Sequence, residues 1–141
     1  MGKLLDLAEN IRKYVNGLEE LSNNVDETIN NFILLNSALH MLQVLVQSLI
    51  DMMYHYISEK GLKPPGTYSE AVSFMVKLKI FNENEAKIIK SMIGFRNILV
   101  HGYLSINLDT VREILQHRKY RELLVFSKKI IEVALKEGVD P

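Results

Sequence analysis

Residues 32–57 read FILLNSALHMLQVLVQSLIDMMYHYI, with one acidic side chain, Asp51, in a run rich in Leu, Val, Ile and Met. Length and hydropathy alone suggest a membrane span. The polar residues decide against it. Asn36, His40, Gln43, Gln47 and Asp51 follow one another at steps of four, three, four and four. At about 100° per residue they share an arc of about 80°. The segment is therefore a helix that is apolar over most of its surface and carries one polar stripe. That many polar groups in lipid would cost several kcal/mol, so the expectation is a buried helix and no membrane contact. A helix apolar on three sides needs more neighbours than a small monomeric bundle supplies, which points to burial across a subunit interface. The stripe faces water or lines a polar cleft.

Outward from this segment the helical pattern continues. Leu4, Leu7, Ile11, Val15, Leu18 and Leu21 recur every three or four residues, predicting an amphipathic helix over about 3–22. Asn23 and Asn24 break it, and Asp26 with Glu27 suits a new helix start. The long second helix then runs to Glu59 or Lys60, where Gly61 and the Pro64-Pro65-Gly66 turn end it. Thr67 and Glu70 have capping-box spacing for a short third helix to about Lys79. Asn82 and Glu85 repeat that signal for a fourth, which Gly102 stops by taking the left-handed conformation. Asn107 or Asp109 caps a fifth helix reaching about Lys136. With no alternating strand pattern, the expected fold is all-α: an up-and-down bundle of four to five helices with a long central helix. At 141 residues it is expected to be one domain, residues 1–141.

Composition excludes several chemistries. Seventeen basic side chains balance seventeen acidic ones, so global charge names no partner. Residues 1–59 carry three basic and eight acidic side chains (net −5), and residues 60–141 carry fourteen and nine (net +5). The second half therefore has the local field that favours a phosphate-bearing partner. Zero cysteines exclude disulfides, thiolate zinc and a cysteine nucleophile. There is no Glu-x-x-His pair for a di-iron bundle. His40, His55, His101 and His117 form no His-x3-His pair, so no metal or other cofactor is expected. No phosphate loop and no serine-hydrolase elbow is present. Asp6 and Glu9 near the start speak against a secretory leader, and a reducing cytoplasm is the expected compartment.

The chemistry concentrates in GFRNILVHGY, residues 94–103. Arg96 is a permanent cation whose fork grips two phosphate oxygens. His101 moves protons near neutrality, and Tyr103 adds a phenol. Together they suit binding and cleavage of a phosphodiester; the plainer reading is a helix end with an arginine and a capping histidine. Arg96 and His101 are about 140° apart on an ideal helix, so one chain aims both at one atom only if the helix ends near His101. Asn97 lies one turn before His101 and is placed to orient its ring or to bind phosphate. A second cluster, His117 to Arg121, mixes cations with Tyr120; it either touches RNA or is a solvated helix face.

The stretch RNILVHGY, residues 96–103, resembles the Arg-x4-His motif, extended by x-Tyr, of the HEPN superfamily, and more narrowly the HepT-like toxins encoded beside a minimal nucleotidyltransferase antitoxin. QSLID at 47–51 followed by His55, the Pro64-Pro65 turn with Tyr68-Ser69-Glu70, and MIGFR at 92–96 also resemble that family in order and spacing, so the likeness covers about residues 30–135. Gly102 departs from the acidic or polar residue that relatives often carry.

The resemblance implies a metal-independent ribonuclease that works as a homodimer. Two-fold pairing would bring two copies each of Arg96 and His101 to one cleft, one imidazole acting as base and the other as acid. It implies a supporting role for Asp51, which is otherwise a paired or exposed helix acid. It also implies that the partner nucleotidyltransferase attaches AMP to Tyr103; the packing alternative is an interface tyrosine. Expected partners are thus RNA, the antitoxin and a second copy of the chain. A non-catalytic nucleotide-binding or adaptor module, or a purely structural helical dimer, is the alternative.

Overall fold

The protein, in a computed structural model, is described over residues 2–140, with Tyr103 described in its backbone alone. Among these residues every regular element is helical: α1 (Lys3–Leu21), α2 (Val25–Asn30), α3 (Phe32–Glu59), α4 (Tyr68–Lys77), α5 (Glu83–His101), α6 (Leu108–Gln116) and α7 (Glu122–Glu137), with short 3-10 turns between α1 and α2, α5 and α6, and α6 and α7. The expected all-α bundle with a long central helix is present.

Helix α3 is the axis. It packs against α1, α2, α4, α5 and α7, and Leu45, Met52, Met53 and Ile57 are fully buried along it. Each such side chain is worth about 1.5–3 kcal/mol of apolar burial. Helix α1 lays Leu4, Ile11, Val15 and Leu18 on α3, all at most 3% exposed. The N-terminal end of α3 escapes the core, with Phe32 80% and Ile33 74% exposed. Along the polar stripe Asn36 and His40 are exposed, while Gln43, Gln47 and Asp51 are half-buried. The stripe therefore runs from water to the edge of the bundle.

Two expected helices are each broken. The second divides at Asn31, whose backbone is extended (φ −108°, ψ 119°) and whose side chain accepts hydrogen bonds from the N–H groups of Ile33 and Leu34, both at 3.0 Å. That side-chain cap replaces the backbone bonds a continuous helix would make. The fifth divides at residues 117–121, where Arg118 is left-handed at φ 50°. Gly61 closes α3 with φ 72°, as its position suggests. Gly102 does not take the left-handed conformation: its φ is −133°, and its N–H continues the helical pattern to the Ile98 carbonyl at 2.8 Å.

Side-chain caps also fix the starts of α4 and α5. Asn82 and Glu85 form a full capping box at α5. At α4 the Thr67 hydroxyl accepts from Glu70 N–H at 3.1 Å, but the Glu70 carboxylate reaches back to Gly66 N–H at 2.8 Å, one residue further than a capping box requires. This draws the 64–67 loop tightly onto the start of α4.

Candidate functional site

Ala86, Ile89, Ile93 and Leu99 anchor α5 in the core, which leaves its last turns to present the motif. Arg96 is half-buried, and Asn97 and His101 are exposed. All three line one open cavity of about 410 Å³, closed on the other side by Tyr54 of α3 and by the 66–68 segment at the head of α4. The structure thus brings Arg96 and His101 to one space despite their angular separation, because the cavity wraps the end of the helix. The positive end of the α4 dipole adds to the guanidinium in favouring an anion there.

Arg96 is held by groups that leave its charge uncompensated. Its guanidinium carbon lies 5.6 Å from the centroid of the Tyr68 ring, a cation–π distance. One terminal nitrogen donates to Asn97 Oδ1 at 3.1 Å. Among the described residues no carboxylate pairs with it, and its buried Nε has no hydrogen-bond partner. Asn97 therefore turns to Arg96 rather than to the His101 ring one turn on. Tyr68 is braced edge-on by Tyr54 (5.9 Å, 82°), whose hydroxyl donates to the Pro65 carbonyl at 3.4 Å. Burial first, then Tyr68 and Glu70, push the Tyr54 phenol above its ordinary value. Tyr54 and Tyr68 belong to the cavity wall, yet neither stands out by residue type; what brings them there is the packing of α3 and α4 beside α5.

Asp51 lies outside that wall, half-buried on α3, where it accepts from Gln47 Nε2 at 2.9 Å. Tyr103 follows Gly102 in a 3-10 turn, Tyr103–Ser105; its side chain lies outside the described residues. A second cavity of about 500 Å³ opens among α3, α5, α6 and α7, with walls such as Leu42, Val46, Met92, Phe95 and Ile114. That wall is mostly aliphatic and aromatic and suits apolar contact rather than proton transfer.

The basic turn at 117–121 is engaged within the molecule. Arg121 holds Glu19 through two bonds, at 2.8 and 2.5 Å, and Arg118 adds a contact at 3.0 Å. Lys119 pairs with Glu113 at 3.2 Å, and Tyr120 is buried against Ser22. This cluster is a structural seam between α1 and the start of α7.

A family model described as "Ribonuclease HepT-like" matches residues 5–130. Among curated proteins the chain is similar to the mRNA nuclease HepT of Shewanella oneidensis, 24% identical over 107 residues, covering 76% of this chain and 80% of that one. Among solved structures it is similar to a toxin–antitoxin complex with AMP-PNP (TM-score 0.84, 21% identity, 92% of this chain and 99% of that one). It is also similar to the tri-AMPylated Shewanella oneidensis HEPN toxin in complex with MNT antitoxin (TM-score 0.80, 21% identity, 91% and 98%).

Proposed function

The chain belongs to the HepT-like ribonuclease family of HEPN proteins, and from that premise we propose that it is a cytoplasmic, metal-independent ribonuclease toxin, active as a homodimer and neutralised by a partner nucleotidyltransferase. The observation that carries the reading is Arg96: a half-buried, uncompensated guanidinium sharing an open cavity with His101. The mRNA nuclease relative and the toxin–antitoxin complexes support the class.

In the proposed reaction His101 removes the proton of an RNA 2′-hydroxyl, whose oxygen attacks the adjoining phosphorus. The bond from phosphorus to the 5′-oxygen breaks, and the partner subunit's His101 supplies the proton that oxygen needs. The products are a 2′,3′-cyclic phosphate and a 5′-hydroxyl. Arg96 stabilises the charge that grows on the non-bridging oxygens, which is where an arginine without a carboxylate partner has most effect. Asn97 and Tyr68 position it, and Asp51 supports from α3. In this reading Tyr103 is the AMP acceptor: bulky anionic nucleotides beside the motif would fill the cleft and compete for Arg96.

Purified protein incubated with RNA and EDTA should yield ends carrying the cyclic phosphate. His101→Ala should reduce the rate by about 10²–10⁴-fold with helicity unchanged, since that side chain is exposed. Cleavage that persists in His101→Ala, or that requires added metal, overturns the mechanism.

A further inference from the structure

At the far end of α3 a different set of side chains converges. His55 and Glu59 stand one helical turn apart, and Asp140 of the C-terminal tail folds back over them. His55 Nε2 lies 3.3 Å from an Asp140 oxygen and 3.6 Å from a Glu59 oxygen, and one donor atom from each residue lies within 4.8 Å of the others. Despite that proximity, Nε2 is buried and makes no hydrogen bond among the described residues. Those two separations match something else. Around a tetrahedral ion with ligands at about 2.0–2.2 Å, neighbouring donor atoms are roughly 3.4 Å apart.

The surroundings hold one carboxylate in place. Asp140 is 9% exposed, and its Oδ2 accepts from Leu4 N–H at 2.7 Å, which leaves Oδ1 facing His55. Lys60, the residue after α3, is taken by Glu137 at 3.2 Å. A metal-bound imidazole is neutral, so with two carboxylates the ligand set would carry a net charge of −2. The chain also makes room for the Asp140 carboxylate: a Cβ at Gly2 would fall 1.9 Å from its Oδ1, so any side chain there would displace it.

We propose that His55, Glu59 and Asp140 bind one divalent transition-metal ion of the Zn²⁺ type, clasping the end of α3 to the C-terminal tail and, through Asp140, to the start of α1. One nitrogen and two carboxylate oxygens suit Zn²⁺ and Co²⁺, and a water completes four-coordination. None of the three lines the Arg96 cavity, so the ion is structural and the cleavage reaction proceeds without it.

The test is titration of Co²⁺ into the untagged, EDTA-stripped full chain. One equivalent should develop the visible d–d absorption of four-coordinate Co²⁺, Zn²⁺ should displace it, and either ion should raise the melting temperature. Glu59→Gln and Asp140→Asn should each weaken binding about tenfold or more, while His40→Ala should not. Asp140→Asn keeps an acceptor for Leu4 N–H, and Glu59 is exposed, so neither change threatens the fold. Gly2→Ala should also weaken binding by displacing Asp140. If no d–d band develops, or if Asp140→Asn binds as tightly as the native chain, the three side chains are an ion-pair clasp and the proposal fails, whatever the outcome of the RNA assay.

Discussion

Arg96 and Arg121 both lie near helix ends in the basic half of the chain, and the structure uses them in opposite ways. Arg121 closes on Glu19 with two hydrogen bonds, and Arg118 reinforces the pair. Arg96 meets a tyrosine face and an amide oxygen, neither of which cancels its charge. One arginine is consumed by the fold and the other is held ready for an anion from outside. Local charge density does not mark the free one: four of the five residues from His117 to Arg121 are basic, yet Arg96 stands alone. What separates them is whether a carboxylate lies within reach in the folded chain.

The largest effect that sharpens this contrast is on RNA cleavage. Arg96→Ala should lower the rate by about 10²–10³-fold, the usual cost of deleting one transition-state donor, whereas Arg121→Ala should leave it within about twofold. Equal losses at both positions would erase the distinction. A smaller effect separates charge from shape. Arg96→Lys keeps the cation but loses the planar fork and its stacking on Tyr68, so cleavage should fall by about tenfold; a lysine variant as active as the native chain would mean that charge alone suffices.

The smallest effect is on stability. Hydrogen bonding to Arg121, the largest influence, holds the Glu19 carboxyl at about 2, against an ordinary 4.5. Because the folded value is the lower one, this carboxylate stabilises the protein above pH 4.5, and that contribution fades as pH falls towards 2. With a partly exposed pair the contribution is about 1 kcal/mol. Thermal melts should show Glu19→Gln less stable by about that amount at pH 7 and nearly equal to the native chain near pH 2, with cleavage at neutral pH unaffected. A deficit that stays constant down to pH 2 would assign the loss to packing instead.

How much of this was legible in the sequence follows from the range of each interaction. The helices could be read because their signals are local: the three-to-four spacing in α1, and Asn82 with Glu85 at α5. The break at Asn31 was hidden, since an asparagine cap inside an apolar run looks like a lone polar residue until its side chain is seen bonding Ile33 and Leu34. The left-handed Arg118 gives no local signal, because arginine has no intrinsic preference for that backbone and the groups that hold it, Glu19 and Asn23, lie far off in the sequence. Arg96, Asn97 and His101 could be named from their spacing, but Tyr54 as part of the cavity wall depends on a contact formed between distant parts of the chain. His55 and Asp140 meet for the same reason, from opposite ends of the sequence.

The left-handed turn at Arg118 has a consequence for tolerance to substitution. A non-glycine residue at φ 50° carries roughly 1–2 kcal/mol of strain, and here the guanidinium recovers part of it from Glu19 and Asn23. Replacement therefore acts through two opposing effects. Glycine would relax the backbone and discard the ion pair, so the changes largely cancel and the position looks neutral in a mutational scan. Valine or isoleucine would discard the ion pair and deepen the strain, so the same position looks intolerant. A residue whose apparent importance depends so strongly on its replacement is marking a conformation, and its side chain is the chain's way of holding that conformation without glycine.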